Sequence, residues 1–262
     1  MRIVVLTKPV PDPAAASERL GADGWLDRGA SPAVVNGNDE YALEAALKLV
    51  EAHGGEVILL SMAPPNATET MRKALAMGAM RGVLVSDPVL AGSDVVSTVR
   101  VLAAALGSME YDLVLAGADT SDGNGGVVGA GIAASLRLPY LSYAASIEPD
   151  PEAGTVAVRR LSPTGYDRLE APMPALVACT QVLGEPRYPS LKGIMAARSK
   201  EIQTRTFADL GLDTPSIGGG AATTRVTDSR KPPARGAARV VRGAAADAAR
   251  EVVAFLAERR VI

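Results

Sequence analysis

The stretch of this chain whose residue types and spacing point most directly to chemistry is Gly117-Ala118-Asp119-Thr120-Ser121-Asp122-Gly123-Asn124-Gly125-Gly126-Val127-Val128-Gly129. Glycines let backbone N–H groups approach an anion closely, and a helix expected over about Val127 to Leu136 turns its positive end to the same point. Together they make a phosphate cradle. Asp122 is expected to steady the turn by accepting backbone N–H groups rather than to meet phosphate itself. Such a loop also serves simply to start a tightly packed helix, so it is not specific alone. No GK[ST] follows it, so it is not a Walker loop. It does not match G-x-G-x-x-G in the first βα unit, and the first strand lacks the SGG-x-DS loop of ATP pyrophosphatases. The cradle suits a nucleotide that is held and not cleaved.

Side chains for covalent or acid–base chemistry are sparse. The single histidine, His53, lies in EAHGGE at the polar end of an expected helix, where a cation suits the C-terminus. The single cysteine, Cys179, sits in the apolar run PALVACT and reads as a small buried hydrophobe. One of each leaves no histidine–cysteine cluster for zinc and no internal disulfide, and no G-x-S-x-G elbow is present. We therefore expect no catalytic side chain and no metal, so any redox chemistry must come from an organic cofactor. The net charge of −2, with acids and bases interleaved, lacks the basic footprint of nucleic-acid binding. The opening MRIVVLTKPVPDP reaches proline too soon for a signal peptide, and no apolar run approaches a membrane span. A cytoplasmic chain without membrane insertion is expected.

The elements that must position the cradle follow from periodicity. At 262 residues and 48% hydrophobic content there is material for a substantial core. Strands are expected at Arg2 to Leu6, Glu56 to Ser61, Gly82 to Val85 and Asp112 to Ala116. Helices are expected at Asp39 to Val50 with Asn38 as N-cap, at Ala67 to Met77 behind an Asn66/Glu69 capping box, and at Asp94 to Leu106. This alternation predicts an α/β fold, a mostly parallel open sheet with helices on both faces. Ligands in such sheets sit at the carboxyl ends of strands where the order reverses, here expected between the first and fourth strands. From Pro139 an antiparallel extension is expected, with Tyr140 to Ile147 and Thr155 to Leu161 around EPDPEAG, then a strand at Pro174 to Thr180. The run from Pro215 to Arg239, rich in glycine, proline and basic residues, reads as an extended arm, and Ala244 to Glu258 returns to helical period. The division is thus 1–210 for the α/β domain and 211–262 for the arm. An arm ending in an apolar helix suggests a partner subunit, the alternative being a tail folded back on its own domain.

Two segments, ETMRKALAMGAMRGVLV (69–85) and EPRYPSLKGIMAARSKEI (185–202), resemble the electron transfer flavoprotein beta-subunit family. Weaker agreement runs through KPVPDP, NDEYALEAALKL, DGNGGVVG and the final GAAADAAREVVAFLAERRVI, so the resemblance spans nearly the whole chain in order. It implies an adenine nucleotide-binding fold of the HUP type that holds AMP, paired with an alpha subunit that holds the redox FAD. By resemblance the nucleotide contacts are Leu6, the Asn36 to Asp39 segment, Met62, and Gly117 to Val128, including Asp122, Gly123, Asn124, Gly125, Gly126 and Val127. The segment 185–202 corresponds to a recognition loop for flavin dehydrogenases such as acyl-CoA dehydrogenases, with Leu191 as anchor and Ile194 and Met195 beside it. The arm's last helix would dock on the alpha subunit. One departure stands out: RRLSPTGYDRLEAP carries Leu161 and Pro163 where the family often has acids, which puts flavin tuning by this chain in doubt.

The expected function is an electron-carrying subunit, with AMP structural. One alternative within the family puts a second FAD in place of AMP, accepting hydride from NADH and bifurcating electrons. Another, from a different class, is a stand-alone adenine-nucleotide sensor resembling universal stress proteins.

Overall fold

The computed structural model describes residues 1–15, 20–21, 24–213, 216–228, 230, 233, 236 and 238–262. They form two compact units, Met1–Thr227 and Asp228–Ile262. The first unit therefore runs past the boundary expected at 210–211. Its last stretch is tied down by Asp94, whose carboxylate accepts the N–H and hydroxyl of Thr223 at 2.6 and 2.9 Å and the N–H of Thr224 at 3.1 Å. Pro215, the expected start of the arm, lies outside the described residues, as does much of the basic run after 228.

The first unit is built on one nine-stranded sheet. In chain order the strands are β1 (Arg2–Leu6), β4 (Glu56–Met62), β5 (Arg81–Val85), β6 (Leu113–Gly117), β7 (Tyr140–Asp150), β8 (Thr155–Ser162), β9 (Gly165–Pro172), β10 (Ala175–Cys179) and β11 (Ile202–Arg205). They lie in the order β11-β5-β4-β1-β6-β10-β7-β8-β9, parallel from β11 to β7 and antiparallel from β7 to β9. A separate antiparallel pair joins β2 (Pro9–Pro11) to β3 (Ala33–Val35).

The central strands are continuous apolar runs because both faces are covered. Ile3 and Val5 of β1 pack with α1 (Gly37–His53) and α2 (Ala67–Met77) through Leu43, Met71 and Leu75. Val4 and Leu6, pointing the other way, pack with α3 (Val95–Gly107) and α4 (Val128–Leu136) through Val99, Leu106 and Ile132. The α/β sheet with helices on both faces is thus as the sequence pattern predicts.

Several local readings need correction. Helix α1 begins two residues earlier than its periodicity suggests, with Asn36 rather than Asn38 at the cap position, and Asn36 makes no capping bond. Helix α2 has its expected bounds, but Asn66 is itself helical and caps nothing; its first turn is served by the Pro64 and Pro65 carbonyls. The antiparallel extension gains β9, whose sequence GYDRLEAP hides its strand because five of its residues are charged, glycine or proline. Short edge strands β2, β3 and β11 also escape a periodicity reading, having three or four residues each.

The second unit contains α6 (Ala245–Glu258), with Phe255 beneath the guanidinium groups of Arg259 and Arg239, 5.1 and 5.8 Å from its centroid. No residue of α6 is buried. Among the described residues no helix is long and apolar enough to cross a membrane.

Candidate nucleotide site and docking segment

After β1 the chain passes to β4 and β5 on one side of the sheet and then to β6 on the other, so the order reverses between β1 and β6. The first turn of α1 fills this point. Asp39, buried beneath the sheet edge, accepts the Lys8 N–H at 2.8 Å and the Asn36 side-chain amide at 2.9 Å. Asn36 reaches on to the glycine-rich loop: its amide donates to the Asp119 carbonyl at 2.9 Å and its oxygen accepts the Ser121 N–H at 3.1 Å. Asn38 donates to the Asp119 carboxylate. Helix α1 thereby ties the end of β1 to the loop after β6.

The approach is close enough to dictate a glycine. A Cβ on Gly117 would lie 2.5 Å from an Asp39 carboxylate oxygen and 2.7 Å from the Asn38 carbonyl carbon. Burial pushes the Asp39 carboxyl from near 3.8 up to about 7, against the opposing pull of Asn36, Lys8 and the Gly117 N–H.

Asp122 titrates the other way. Burial favours its neutral form, but Lys8, Thr120 and Arg28 outweigh that and hold it at about 2. Lys8 Nζ stands 2.8 Å from its Oδ2, and Arg28 donates to the same oxygen from Nε and Nη2 at 3.0 and 2.8 Å. Its Oδ1 also accepts the Gly123 N–H at 2.7 Å. Asp122 thus takes a backbone N–H as the turn reading expects, and also pairs with two cations that sequence reasoning did not connect to it, 94 and 114 residues away.

Beyond Asn124, whose N–H donates to Thr120, the loop changes character. Among the described residues the N–H groups of Gly125, Gly126 and Val127 donate to no protein acceptor, and Val127 caps α4 without a side-chain bond. A Cβ on Gly125 would meet nothing within 4 Å, and Gly126 holds a φ of +62°. Away from this loop, beside α2, the Thr7 and Ser61 hydroxyls are buried without partners and line, with Thr70, Met71 and Ala74, a cavity of ≈ 10 Å³, about the room of one water. Gly125 and Val127 are exposed and Gly126 is half-buried, so these three donors stand open to solvent or to an incoming anion.

The structure thus brings Leu6, Asn36, Asp39, Met62, Gly117, Asp122, Gly123, Asn124, Gly125, Gly126, Val127 and Val128 to one edge, at the carboxyl ends of β4, β1 and β6. Cys179 is buried on β10 and burial raises its thiol well above the usual range, while His53 is the exposed last residue of α1. Among the described residues no group of three or more potential ligands could hold a metal ion. A larger surface cavity of ≈ 350 Å³ lies on the antiparallel extension, lined by Ser146, Glu148, Val158, Arg159 and Arg168, and contains none of the expected site residues.

Leu191, Ile194 and Met195 sit elsewhere, on α5 (Leu191–Ala197), which lies against α2 so closely that a Cβ on Gly193 would be 2.3 Å from the Ala76 carbonyl oxygen. Ser190 caps the helix by accepting the Gly193 N–H at 3.0 Å. All three apolar side chains face solvent, Leu191 with 77% of its surface exposed.

The electron transfer flavoprotein domain model matches residues 23–210. The electron transfer flavoprotein subunit beta of Mycobacterium leprae (strain TN) is 39% identical over 266 residues, covering 99% of this chain and 99% of that protein. The chain belongs to the electron transfer flavoprotein beta-subunit family. Two other members of this family carry more specific names. The caffeyl-CoA reductase-Etf complex subunit CarD of Acetobacterium woodii is 36% identical, and the acryloyl-CoA reductase electron transfer subunit gamma of Anaerotignum propionicum is 33% identical, each match covering 100% of both chains.

Proposed function

We propose that this chain is the beta subunit of a heterodimeric electron transfer flavoprotein, a cytoplasmic electron carrier with AMP bound at the β1/β6 edge and FAD held by a larger alpha subunit. The observation that carries the nucleotide assignment is the set of unpaired N–H groups at Gly125, Gly126 and Val127 beside an open Gly125, since a phosphate accepts from such donors and needs that space. Leu6 and Met62 would border the base, Asn36 and Asp39 would hold the loop in shape, and Lys8 would add positive charge. FAD supplies the redox chemistry when bound; the residues of this chain bind and orient. Leu191, with Ile194 and Met195, would dock flavin dehydrogenases such as acyl-CoA dehydrogenases, a reading supported by their exposure on a packed helix. Helix α6, none of whose residues is buried, would dock on the alpha subunit.

A second reading, favoured by the relatives named as subunits of CoA-ester reductase complexes, puts a second FAD where AMP would lie, for bifurcation with NADH. Both readings are tested by co-expressing the chain with its alpha subunit, denaturing the purified complex and quantifying released FAD and AMP. One FAD and one AMP per complex are expected. Two FAD would replace the first reading by the second, and no complex would contradict both.

A further inference from the structure

The segment that carries Leu191 is not held by apolar packing alone. Arg187, four residues before it, reaches back to α1 and to two carboxylates, Glu44 and Glu51, two helical turns apart. Its Nε donates to a Glu44 oxygen at 2.7 Å and its Nη2 to the other Glu44 oxygen at 3.2 Å, while its backbone N–H also donates to Glu44 at 3.1 Å. The outer edge of the same guanidinium meets Glu51, Nη2 at 3.0 Å and Nη1 on the other oxygen. All three arginine nitrogens are thus engaged by carboxylates. Glu44 is buried, with 5% of its side chain exposed, although it lies on a helix face where a charge needs a reason. Lys48 approaches the same carboxylate at 3.5 Å.

The far end of the segment is fastened by a different device. Arg72 of α2 donates to the carbonyls of Ala197 and Lys200, and Lys200 returns the favour by donating to the carbonyls of Leu75 and Ala79 at 3.0 and 2.6 Å. Between these two fastenings lies a helix of seven residues, too short to be stable on its own. Gly193 and Ala197 hold its middle against α2, and the two fastenings fix its ends.

We propose that Arg187, gripped by Glu44 and Glu51, is a positioning residue that presents Leu191 to a flavoenzyme partner. A planar guanidinium shared by two carboxylates fixes direction as well as distance, which a lysine ammonium cannot do. The proposal rests on the docking reading given above. Fixing α5 before encounter removes an ordering cost from association, so loosening it weakens docking without altering electron transfer once docked.

The test uses the complete complex with its alpha subunit and flavin, and a purified acyl-CoA dehydrogenase from the same organism turning over its acyl-CoA substrate. Arg187→Gln, and the milder Arg187→Lys in case the first folds poorly, are compared with Leu191→Ala and with each double variant. Each Arg187 variant is expected to raise KM for the dehydrogenase about tenfold with kcat and flavin content unchanged, and to lower the unfolding midpoint, Arg187→Gln more than Arg187→Lys, because buried Glu44 loses its partner. In the Leu191→Ala background the same substitution should add less than about twofold, because Arg187 acts through Leu191. Amide exchange over residues 191–199 should quicken in the Arg187 variants. If Leu191→Ala raises KM but neither Arg187 variant does, or if the two effects multiply fully, the positioning role is overturned. If Leu191→Ala itself leaves KM unchanged, the docking reading has failed instead.

Discussion

The edge at β1 and β6 and the segment around α5 are both organised by helix α1, yet they are made of opposite materials. At the edge the functional surface is backbone: glycines, free N–H groups, and polar side chains such as Asn36 and Asp39 that are hidden and shape the loop from behind. At α5 the functional surface is side chain: Leu191, Ile194 and Met195 stand in solvent on a backbone pinned by Arg187, Arg72 and Lys200. A backbone surface is damaged by adding atoms, and a side-chain surface by removing them. Substitutions should therefore act in opposite senses in the two regions.

The largest effect is expected where the backbone surface is most crowded. Gly117→Val drives new atoms into the Asp39 carboxylate and the Asn38 backbone, and should destabilise the chain by about 3 kcal/mol in chemical denaturation, with loss of bound nucleotide. A change under about 0.5 kcal/mol would mean that α1 yields easily and does not fix the loop. Leu191→Ala, a removal at the exposed surface, should leave stability within about 0.5 kcal/mol and raise KM for a dehydrogenase about tenfold. A destabilised variant with normal KM would turn the contrast around.

A smaller, pH-dependent effect sharpens the hidden half of the comparison. Asp39 keeps its proton up to a pH of about 7 in the folded chain, against 3.8 ordinarily. The folded state carries the extra proton between those values, so the stability this site contributes falls as pH rises from about 4 to about 7 and then levels off. Asp39→Asn cannot titrate. The wild-type unfolding free energy should accordingly decline relative to the variant across that window, and a constant difference would show that Asp39 ionises as an ordinary aspartate. Asp122, depressed to about 2, contributes in the opposite sense, with stability present above about 4 and lost as pH falls toward 2.

How far these regions can be read in the sequence follows the same division of material. The apolar runs of β1, β4, β5 and β6 announce buried strands, and the loop after β6 announces itself by four glycines within ten residues. The switch between β1 and β6 is expected from the alternation of strands and helices and is seen in the strand pairing. The clamp around Arg187 is invisible because Glu44 and Glu51 look like solvated residues on a helix with ordinary amphipathic spacing, and only the fold brings residue 187 to them. The pairing of Arg28 with Asp122 is hidden for the same reason. Strand β9 is missed because its side chains largely face solvent, so its pattern carries no burial signal. Asn66 shows the reverse error, a capping residue type at the right spacing whose backbone is already helical.

The central claim is that the open glycine backbone holds a nucleotide, and Gly125→Val tests it most directly. The protein leaves more than 4 Å around this position, so the added side chain should cost the fold almost nothing. With complexes stripped of nucleotide and titrated with AMP in a calorimeter, the wild type should bind one AMP per chain, and the variant should bind at least about tenfold more weakly with the same unfolding midpoint. Equal binding by the two proteins would contradict the account, because the nucleotide would then have to lie away from the donors of Gly125, Gly126 and Val127.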